Sequence, residues 1–151
     1  MRAPIVATAL VATALLGGCG SSGPSTSEFR SGFQADRTQF RQLGVALQRT
    51  VSSARRKTNA QLAAEFTKLS KRASRQVERL AELDAPSQYK SALDKLLTGF
   101  RAVTADLKQI ATAAAGNDPQ AATVATRSLL SSAAQVKAAD TALSDALGLS
   151  R

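Results

Sequence analysis

The chain has 151 residues, with 20 Lys and Arg against 11 Asp and Glu, so its formal net charge is +9. It contains a single Cys and neither His nor Trp. These counts exclude a disulfide framework, the usual His and Cys ligand sets for zinc or copper, and a catalytic Ser-His pair. The length suits one domain with a core of its own.

The first 18 residues have the three parts of a secretory signal peptide. A positive start at Met1 and Arg2 is followed by an apolar run over residues 5–16 and by two small residues, Gly17 and Gly18. This run is shorter than the roughly 20 residues that a membrane-spanning helix needs. Residues 1–18 are therefore predicted to be a cleaved signal peptide.

The end of this signal, Leu16-Gly17-Gly18-Cys19, resembles the lipobox of bacterial lipoproteins, Leu-x-Gly/Ala-Cys. The resemblance implies that Leu16, Gly17 and Gly18 are recognised during processing, that a diacylglyceryl group is attached to the Cys19 thiol, and that cleavage precedes Cys19. Acyl chains hold a protein on a bilayer because each buried CH₂ contributes about 0.8 kcal/mol. We expect a protein anchored to the cell membrane or outer membrane and facing the periplasm or the cell exterior. Two alternatives stay open: a secreted protein with an ordinary signal, and a cytosolic protein with an incidental cysteine.

Residues 19–27 are rich in Gly, Ser and Pro, a composition typical of a flexible tether. From residue 28 to residue 151 apolar residues recur at spacings of three and four, which predicts amphipathic helices. The predicted helices cover residues of about 28–55, 59–83, 86–115 and 119–147. The clearest apolar stripe is Tyr89, Leu93, Leu96, Phe100, Val103, Leu107, Ile110 and Ala114.

Helix boundaries are predicted from capping and breaking residues. Ser25 and Thr58 begin sequences of capping-box form, with Glu28 and Gln61 three residues later. The Asp84-Ala85-Pro86 sequence and the Gly116-Asn117-Asp118-Pro119 sequence are typical of helix ends and restarts. The boundary near residues 55–59 is the least marked, because that segment contains neither Gly nor Pro.

Four helices with short connections predict an all-α fold, an antiparallel up-down-up-down four-helix bundle that follows the signal peptide and tether. The aromatic side chains expected to fill the core are Phe29, Phe33, Phe40, Phe66, Tyr89 and Phe100. Two other architectures stay open: three helices with residues 28–83 as one rod, and an extended coiled-coil oligomer. The oligomeric state is not fixed by the sequence.

Positive charge is concentrated in the second predicted helix. Lys68, Arg72, Arg75 and Arg79 follow each other in steps of four, three and four, one residue ahead of an apolar stripe. With Lys71 they form what we call the basic ridge. Like charges four residues apart repel, so something should compensate for them. Solvent, salt and the aspartates Asp94, Asp106 and Asp140 of other helices are one answer. An anionic partner is the other.

Catalytic constellations are absent from the sequence. There is no Gly-x-Ser-x-Gly elbow and no phosphate-binding loop after a strand, and the aspartates Asp36, Asp94, Asp106, Asp140 and Asp145 are interpreted as solvated surface groups. We expect neither an enzyme, nor a metal site, nor a cofactor beyond the covalent lipid on Cys19. Nucleic acid is not an expected partner, because no aromatic side chains interleave with the basic ridge.

The segments "LDAPSQY" and "LKQIATAAAGNDP" resemble small, uncharacterised helical lipoproteins of bacterial envelopes, a likeness that implies no activity. The sequence therefore predicts a non-catalytic binding or scaffolding module held on a membrane by its lipid. Anionic lipid, a wall polymer or an envelope protein is the expected partner of the basic ridge. The alternative function is a small-ligand binding or sensing bundle, with a cleft lined by inward-facing arginines such as Arg41 or Arg101.

Overall fold

The computed structural model of the chain describes residues 23–149, which form four α-helices and contain no strand. The helices are α1 (Thr26–Ser53), α2 (Asn59–Ala81), α3 (Ser87–Ala115) and α4 (Pro119–Ala146), and a 3-10 turn (Ala54–Arg56) follows α1. The all-helical class is thus confirmed. The signal peptide, the lipobox residues Leu16, Gly17 and Gly18, and Cys19 lie outside the described residues. Because α1 begins at Thr26, the last two residues of the predicted tether belong to the helix.

The caps explain where the helices begin. Ser25 accepts a hydrogen bond from the Glu28 amide, although the Glu28 carboxylate accepts from the Ser25 hydroxyl instead of closing the full capping box. Thr58 and Gln61 form the complete box, with each side chain bonded to the other residue's backbone amide. Asp118 caps α4 ahead of Pro119. Each cap satisfies an amide that has no partner inside its helix.

The ends of α3 and α4 turn through one left-handed residue each. At the end of α3 this residue is Asn117, with φ of 53°, and not the glycine before it. The Asp118 amide donates to the Ala113 carbonyl at 2.9 Å, which is the bond pattern of a Schellman motif. At the end of α4 Gly148, with φ of 63°, has the same role.

The break between α1 and α2 has no Gly or Pro, yet the structure places it at residues 54–58. Lys57 adopts an extended backbone, and its ammonium group pairs with the Glu65 carboxylate two turns into α2. Together with the Thr58 capping box, this ion pair gives the chain a local reason to stop one helix and start another. The single rod over residues 28–83 is therefore wrong.

Helix α3 supplies the largest share of the core and packs closely against both α2 and α4. The buried apolar side chains of α3 are Leu93, Leu96, Leu97, Phe100, Val103, Leu107, Ile110, Ala111 and Ala113. Of the predicted aromatic core residues, Phe40 and Tyr89 are only partly buried and the other four are buried. Burial of these apolar surfaces is the main stabilising term, at about 25 cal/mol per Å².

Helix α1 contacts the other three helices through aromatic side chains and ion pairs. The Phe29 ring stacks on Tyr89 with centroids 5.7 Å apart, and the Phe40 ring lies 4.5 Å from that of Phe100. Arg37 pairs with Asp140 of α4 at 3.1 Å. The contacts of α1 with α2 are fewer than those between α2 and α3, and this looser seam leaves open space between the first two helices.

Candidate anion-binding surface

The basic ridge lies on the flank of α2 that borders α1. Its five members, Lys68, Lys71, Arg72, Arg75 and Arg79, are all exposed. The residues that directly follow Lys68, Arg72, Arg75 and Arg79 on the helix are buried: Leu69, Ala73, Gln76 and Leu80. Burial of this stripe fixes the rotation of α2 about its axis, so the cations are held along the edge of the seam between the two helices.

Two adjoining clefts open along this seam. The first, which we call the arginine cleft, has a volume of about 180 Å³ and is lined by Arg72, Arg75 and Arg79 together with Gln39, Gln42 and Gln76. The second, the lysine cleft, has a volume of about 330 Å³ and is lined by Ala46, Thr50, Glu65, Lys68 and Lys71, with Arg72 and Arg75 shared between the two. The structure thus brings all five predicted ridge residues to the walls of two neighbouring clefts.

Most of the ridge charge has no carboxylate beside it. Only Arg79 makes an ion pair, with its Nε 3.2 Å from Asp36 Oδ1, and the other four cations pair with no residue of the described part of the chain. One aspartate of another helix, Asp36 of α1, thus compensates part of the ridge charge, but none of the three that the sequence suggested pairs with the ridge within the described residues. Asp140 pairs with Arg37, the buried Asp106 accepts from the Ser132 hydroxyl, and Asp94 is exposed without an ion pair.

Asp36 is not the solvated surface group that the sequence suggested. Its exposed fraction is 8%, and it lies on the core stripe of α1. Burial raises the pKa of its carboxyl because the ionised form loses its hydration, Arg79 opposes that rise, and the nearby Glu82 adds to it. Asp106 is likewise buried, so this interpretation is wrong for both residues. Asp36 holds the Arg79 guanidinium at one end of the arginine cleft.

The lysine cleft contains the one carboxylate among the lining residues of either cleft. Glu65 accepts a hydrogen bond from Lys57, which lowers the pKa of its carboxyl, and Thr50 and Lys68 act in the same direction. Glu65 is thus paired with Lys57, and the lysine cleft keeps four lining cations against this one carboxylate. The arginine cleft is lined by three guanidinium groups, and within the described residues one of them, that of Arg79, pairs with a carboxylate, Asp36.

The arginine cleft also has three amide side chains that the sequence did not single out as functional. Gln39 and Gln42 are exposed on α1, three residues apart and therefore on one side of that helix. Gln76 has an exposed fraction of 6%, and its Oε1 has no hydrogen-bond partner in the described part of the chain. The sequence signal for Gln76 is a glutamine at an apolar position of α2, but the cleft that it lines depends on where α1 packs. Arg41 and Arg101 are exposed and do not face inward as the alternative required.

Arginine guanidinium groups suit oxyanions. Each is planar, stays charged, and offers donors that match two oxygens of a carboxylate or phosphate at once. The glutamine amides add neutral donors and acceptors in the same cleft. Within residues 23–149 no group of three or more acidic, His or Cys side chains could hold a metal ion. The guanidinium and amide groups that line the arginine cleft are side chains that can bind an oxyanion.

In comparisons with known proteins, the chain matches no protein-family model, no curated protein and no solved structure. None of the helices in residues 23–149 has the length and apolar character to cross a bilayer.

Proposed function

We propose that the protein is a membrane-anchored, extracytoplasmic lipoprotein whose helical domain is a non-catalytic binding or scaffolding module. The anchor is the lipid on Cys19, for which the Leu16-Gly17-Gly18-Cys19 sequence is the support. The binding surface is the basic ridge, and its partner is an anionic component of the cell envelope: lipid headgroups, a wall polymer or an acidic protein. The proposal includes no catalytic residue, no metal and no nucleic acid.

One observation carries the binding role. Five cations within 12 residues of α2 lie beside two clefts, and only one of them is paired. Like charges at such spacing repel one another in an isolated helix, and an anionic partner would relieve that repulsion. A face that served only to keep the protein soluble would gain nothing from placing its cations along a seam between helices.

The domain is proposed to be an antiparallel up-down-up-down bundle. Asp36 near the start of α1 contacts Arg79 near the end of α2, and Asn59 at the start of α2 bonds to Asn117 just after α3. Arg30 at the start of α1 donates to the carbonyl of Gly148 after α4. These three pairs join opposite ends of the helices, which supports antiparallel neighbours.

The geometry of the anchor is compatible with a partner at the membrane surface. The seven residues from Cys19 to the first residue of α1 span at most about 25 Å when extended. Asp36, which marks the Arg79 end of the ridge, lies about 15 Å along α1 at 1.5 Å per residue. A domain lying flat on the bilayer would bring the ridge to the headgroups, whereas an upright domain would present it to the layer above them.

Charge reversal on the ridge tests the binding role. A variant with Lys68, Lys71, Arg72 and Arg75 changed to Glu leaves Arg79 to pair with Asp36. Its matched control changes the exposed cations Lys90, Lys95, Arg101 and Lys108 of α3 to Glu, with the same change in net charge. In the Cys19→Ser background, where no lipid attaches the chain to the membrane, we expect co-sedimentation with envelope fractions to be salt-sensitive, to be lost in the ridge variant and to persist in the control. Equal behaviour of the two variants would contradict a specific surface.

The anchor is tested separately. In a bacterial host, a Cys19→Ser variant should lose metabolic labelling by fatty acid and move from the membrane fraction to the soluble fraction. Retention of the label on the variant would contradict lipidation at Cys19. The loss of the label does not depend on the basic ridge, and fractionation at high salt screens any binding through the ridge.

A second candidate function, binding of a small ligand, is favoured by the arginine cleft. Its volume of about 180 Å³ corresponds to about six waters at ~30 Å³ each, which suits a compact anionic group. The residues that line it differ from the Arg41 and Arg101 named by the sequence.

A further inference from the structure

We infer that the arginine cleft is a binding site for the phosphate ester of a polyol, such as a glycerol phosphate group. This inference rests on the proposed function and makes it more specific, because it places a site for one ligand per chain within the charged surface. Glycerol phosphate occurs both as a lipid headgroup and in soluble or polymeric form, and the chemistry that the cleft recognises is common to these sources.

The phosphate half of the ligand follows from the guanidinium groups. Arg72, Arg75 and Arg79 approach one cleft from the same helix, and the Asp36 carboxylate holds Arg79 in place. Arg72 and Arg75 have no ion pair in the described part of the chain, so their donors are available to a ligand. A phosphate group can accept from two guanidinium groups through separate oxygens.

The polyol half follows from the amides. Gln76 is buried at the cleft and its Oε1 has no partner, although a buried polar atom normally has one. Inorganic phosphate presents mainly acceptors, whereas a hydroxyl group can donate to an amide oxygen. Gln39 and Gln42 provide further amides on the opposite wall. A ligand with both a phosphate and neighbouring hydroxyl groups satisfies both kinds of side chain.

The size of the cleft limits the ligand. About 180 Å³ accommodates one phosphate with a short polyol and excludes a folded polymer segment. The cleft lies at the seam between α1 and α2, and Arg72 and Arg75 also border the lysine cleft. A longer anionic chain would therefore place one unit in the arginine cleft and continue along Lys68 and Lys71.

The test is calorimetric titration of the full chain carrying Cys19→Ser, which removes the lipid attachment point. The probes are glycerol 3-phosphate and inorganic phosphate, and the expected result is one site per chain that binds glycerol 3-phosphate more tightly. No saturable binding of glycerol 3-phosphate would overturn the inference, and equal affinity for the two probes would overturn the polyol part.

Two double variants distinguish a site in the arginine cleft from binding by the ridge charge in general. Arg72→Gln with Arg75→Gln should weaken binding of glycerol 3-phosphate by about tenfold or more, which corresponds to ~1.4 kcal/mol. Lys68→Gln with Lys71→Gln removes the same charge outside the arginine cleft and should change the affinity much less. Equal losses in the two double variants would overturn the cleft while leaving the ridge intact as an electrostatic surface.

Gln76→Leu tests the hydroxyl contact without changing charge. We expect this variant to lose the preference for glycerol 3-phosphate over inorganic phosphate and to keep its affinity for inorganic phosphate. Because the substitution removes a buried unpartnered oxygen, it should not impair folding, which far-ultraviolet circular dichroism checks. A preserved preference would contradict the role of Gln76.

Vesicles distinguish the sources of the ligand. Phosphatidylglycerol presents glycerol phosphate on a bilayer, and phosphatidylserine presents the same net charge without the free glycerol. Cleft-dependent binding of the Cys19→Ser chain to phosphatidylglycerol vesicles alone identifies a lipid headgroup as an accessible source. Cleft-dependent binding of glycerol 3-phosphate but not of vesicles identifies a soluble or polymeric source. Binding to both vesicle types that depends equally on Arg72, Arg75, Lys68 and Lys71 would support the ridge and overturn the cleft.

Discussion

Two buried serines of α4 predict opposite effects of the same substitution. Ser132 donates from its hydroxyl to Asp106 Oδ2 of α3 at 2.7 Å, and its exposed fraction is 6%. Ser144 is 1% exposed, and its hydroxyl has no hydrogen-bond partner in the described part of the chain. Ser132→Ala removes a made bond, whereas Ser144→Ala removes an unsatisfied group.

The magnitudes follow from these environments. A hydrogen bond to a charged group contributes about 1.5–3 kcal/mol, and replacing Ser by Ala in a helix gains at most ~0.5 kcal/mol. Ser132→Ala should therefore lower the free energy of unfolding by about 1–2.5 kcal/mol. Ser144→Ala should leave it unchanged or raise it by up to about 2 kcal/mol, because the cost of burying an unpaired hydroxyl disappears. At ~4 °C per kcal/mol for a domain of this size, the two midpoints should differ by several degrees.

The assay is thermal and urea unfolding of the full chain, followed by circular dichroism. Ser131→Ala is the matched control, because Ser131 is exposed on the same helix and should show the propensity effect alone. Replacing both partners, with Asp106→Leu and Ser132→Ala, should recover much of the loss. If Ser132→Ala and Ser144→Ala shift stability equally and in the same direction, the bond between α3 and α4 contributes nothing and the reasoning fails.

Three further predictions concern other positions. Gly44→Ala should stabilise α1 by about 0.5–1 kcal/mol, since nothing lies within 4 Å of the added Cβ. Gly99→Ala should destabilise the fold, because its Cβ would lie 2.9 Å from Val136 Cγ2. The urea midpoints of the two variants test this difference. The pKa of the Asp36 carboxyl is raised in the folded state above its ordinary value of 3.8, so its contribution to stability is fully present below pH 3.8 and is lost as the pH rises through the folded-state pKa. The free energy of unfolding of the wild type, relative to that of Asp36→Asn, should therefore fall from acid to neutral pH in urea unfolding. Arg75→Gln removes the like-charge pairs with Lys71 and Arg79, each four residues away, and should stabilise by about 0.4–1 kcal/mol at low salt and less at high salt; a loss of stability would contradict unrelieved repulsion.

The helices could be predicted because their determinants are local. Apolar residues at spacings of three and four fix which side of each helix is buried, and the residues Ser25, Thr58 and Asp118 determine where three of the helices begin. The left-handed residue after α3 is Asn117 and not Gly116, which shows that residue type alone does not fix the position of the turn. Glycine and asparagine both adopt the left-handed conformation readily, and the hydrogen bond from the Asp118 amide to the Ala113 carbonyl accompanies its position at Asn117.

Interhelical pairing could not be predicted in the same way. Periodicity places Asp36 and Asp106 near their core stripes, but the partner that allows each to be buried belongs to another helix, and its identity depends on the relative height of the two helices. Arg79 meets Asp36 and Ser132 meets Asp106 only when that register is known. The clefts depend on the separation of α1 and α2, for which the sequence contains no local signal.

The residues of α2 that stabilise the fold differ from the residues that form the basic ridge. Buried residues of α2 attach it to α3, so α2 does not need its charged flank in order to fold. Repulsion along the ridge costs a few tenths of a kcal/mol per pair, which the apolar stripe offsets many times over. Because α1 leaves space beside that flank instead of covering it, the cations stay accessible. The fold tolerates this charged surface, pairs only its Arg79 with a carboxylate of the described residues, and leaves it open at a seam, which is the arrangement that we expect of a binding site for an anion.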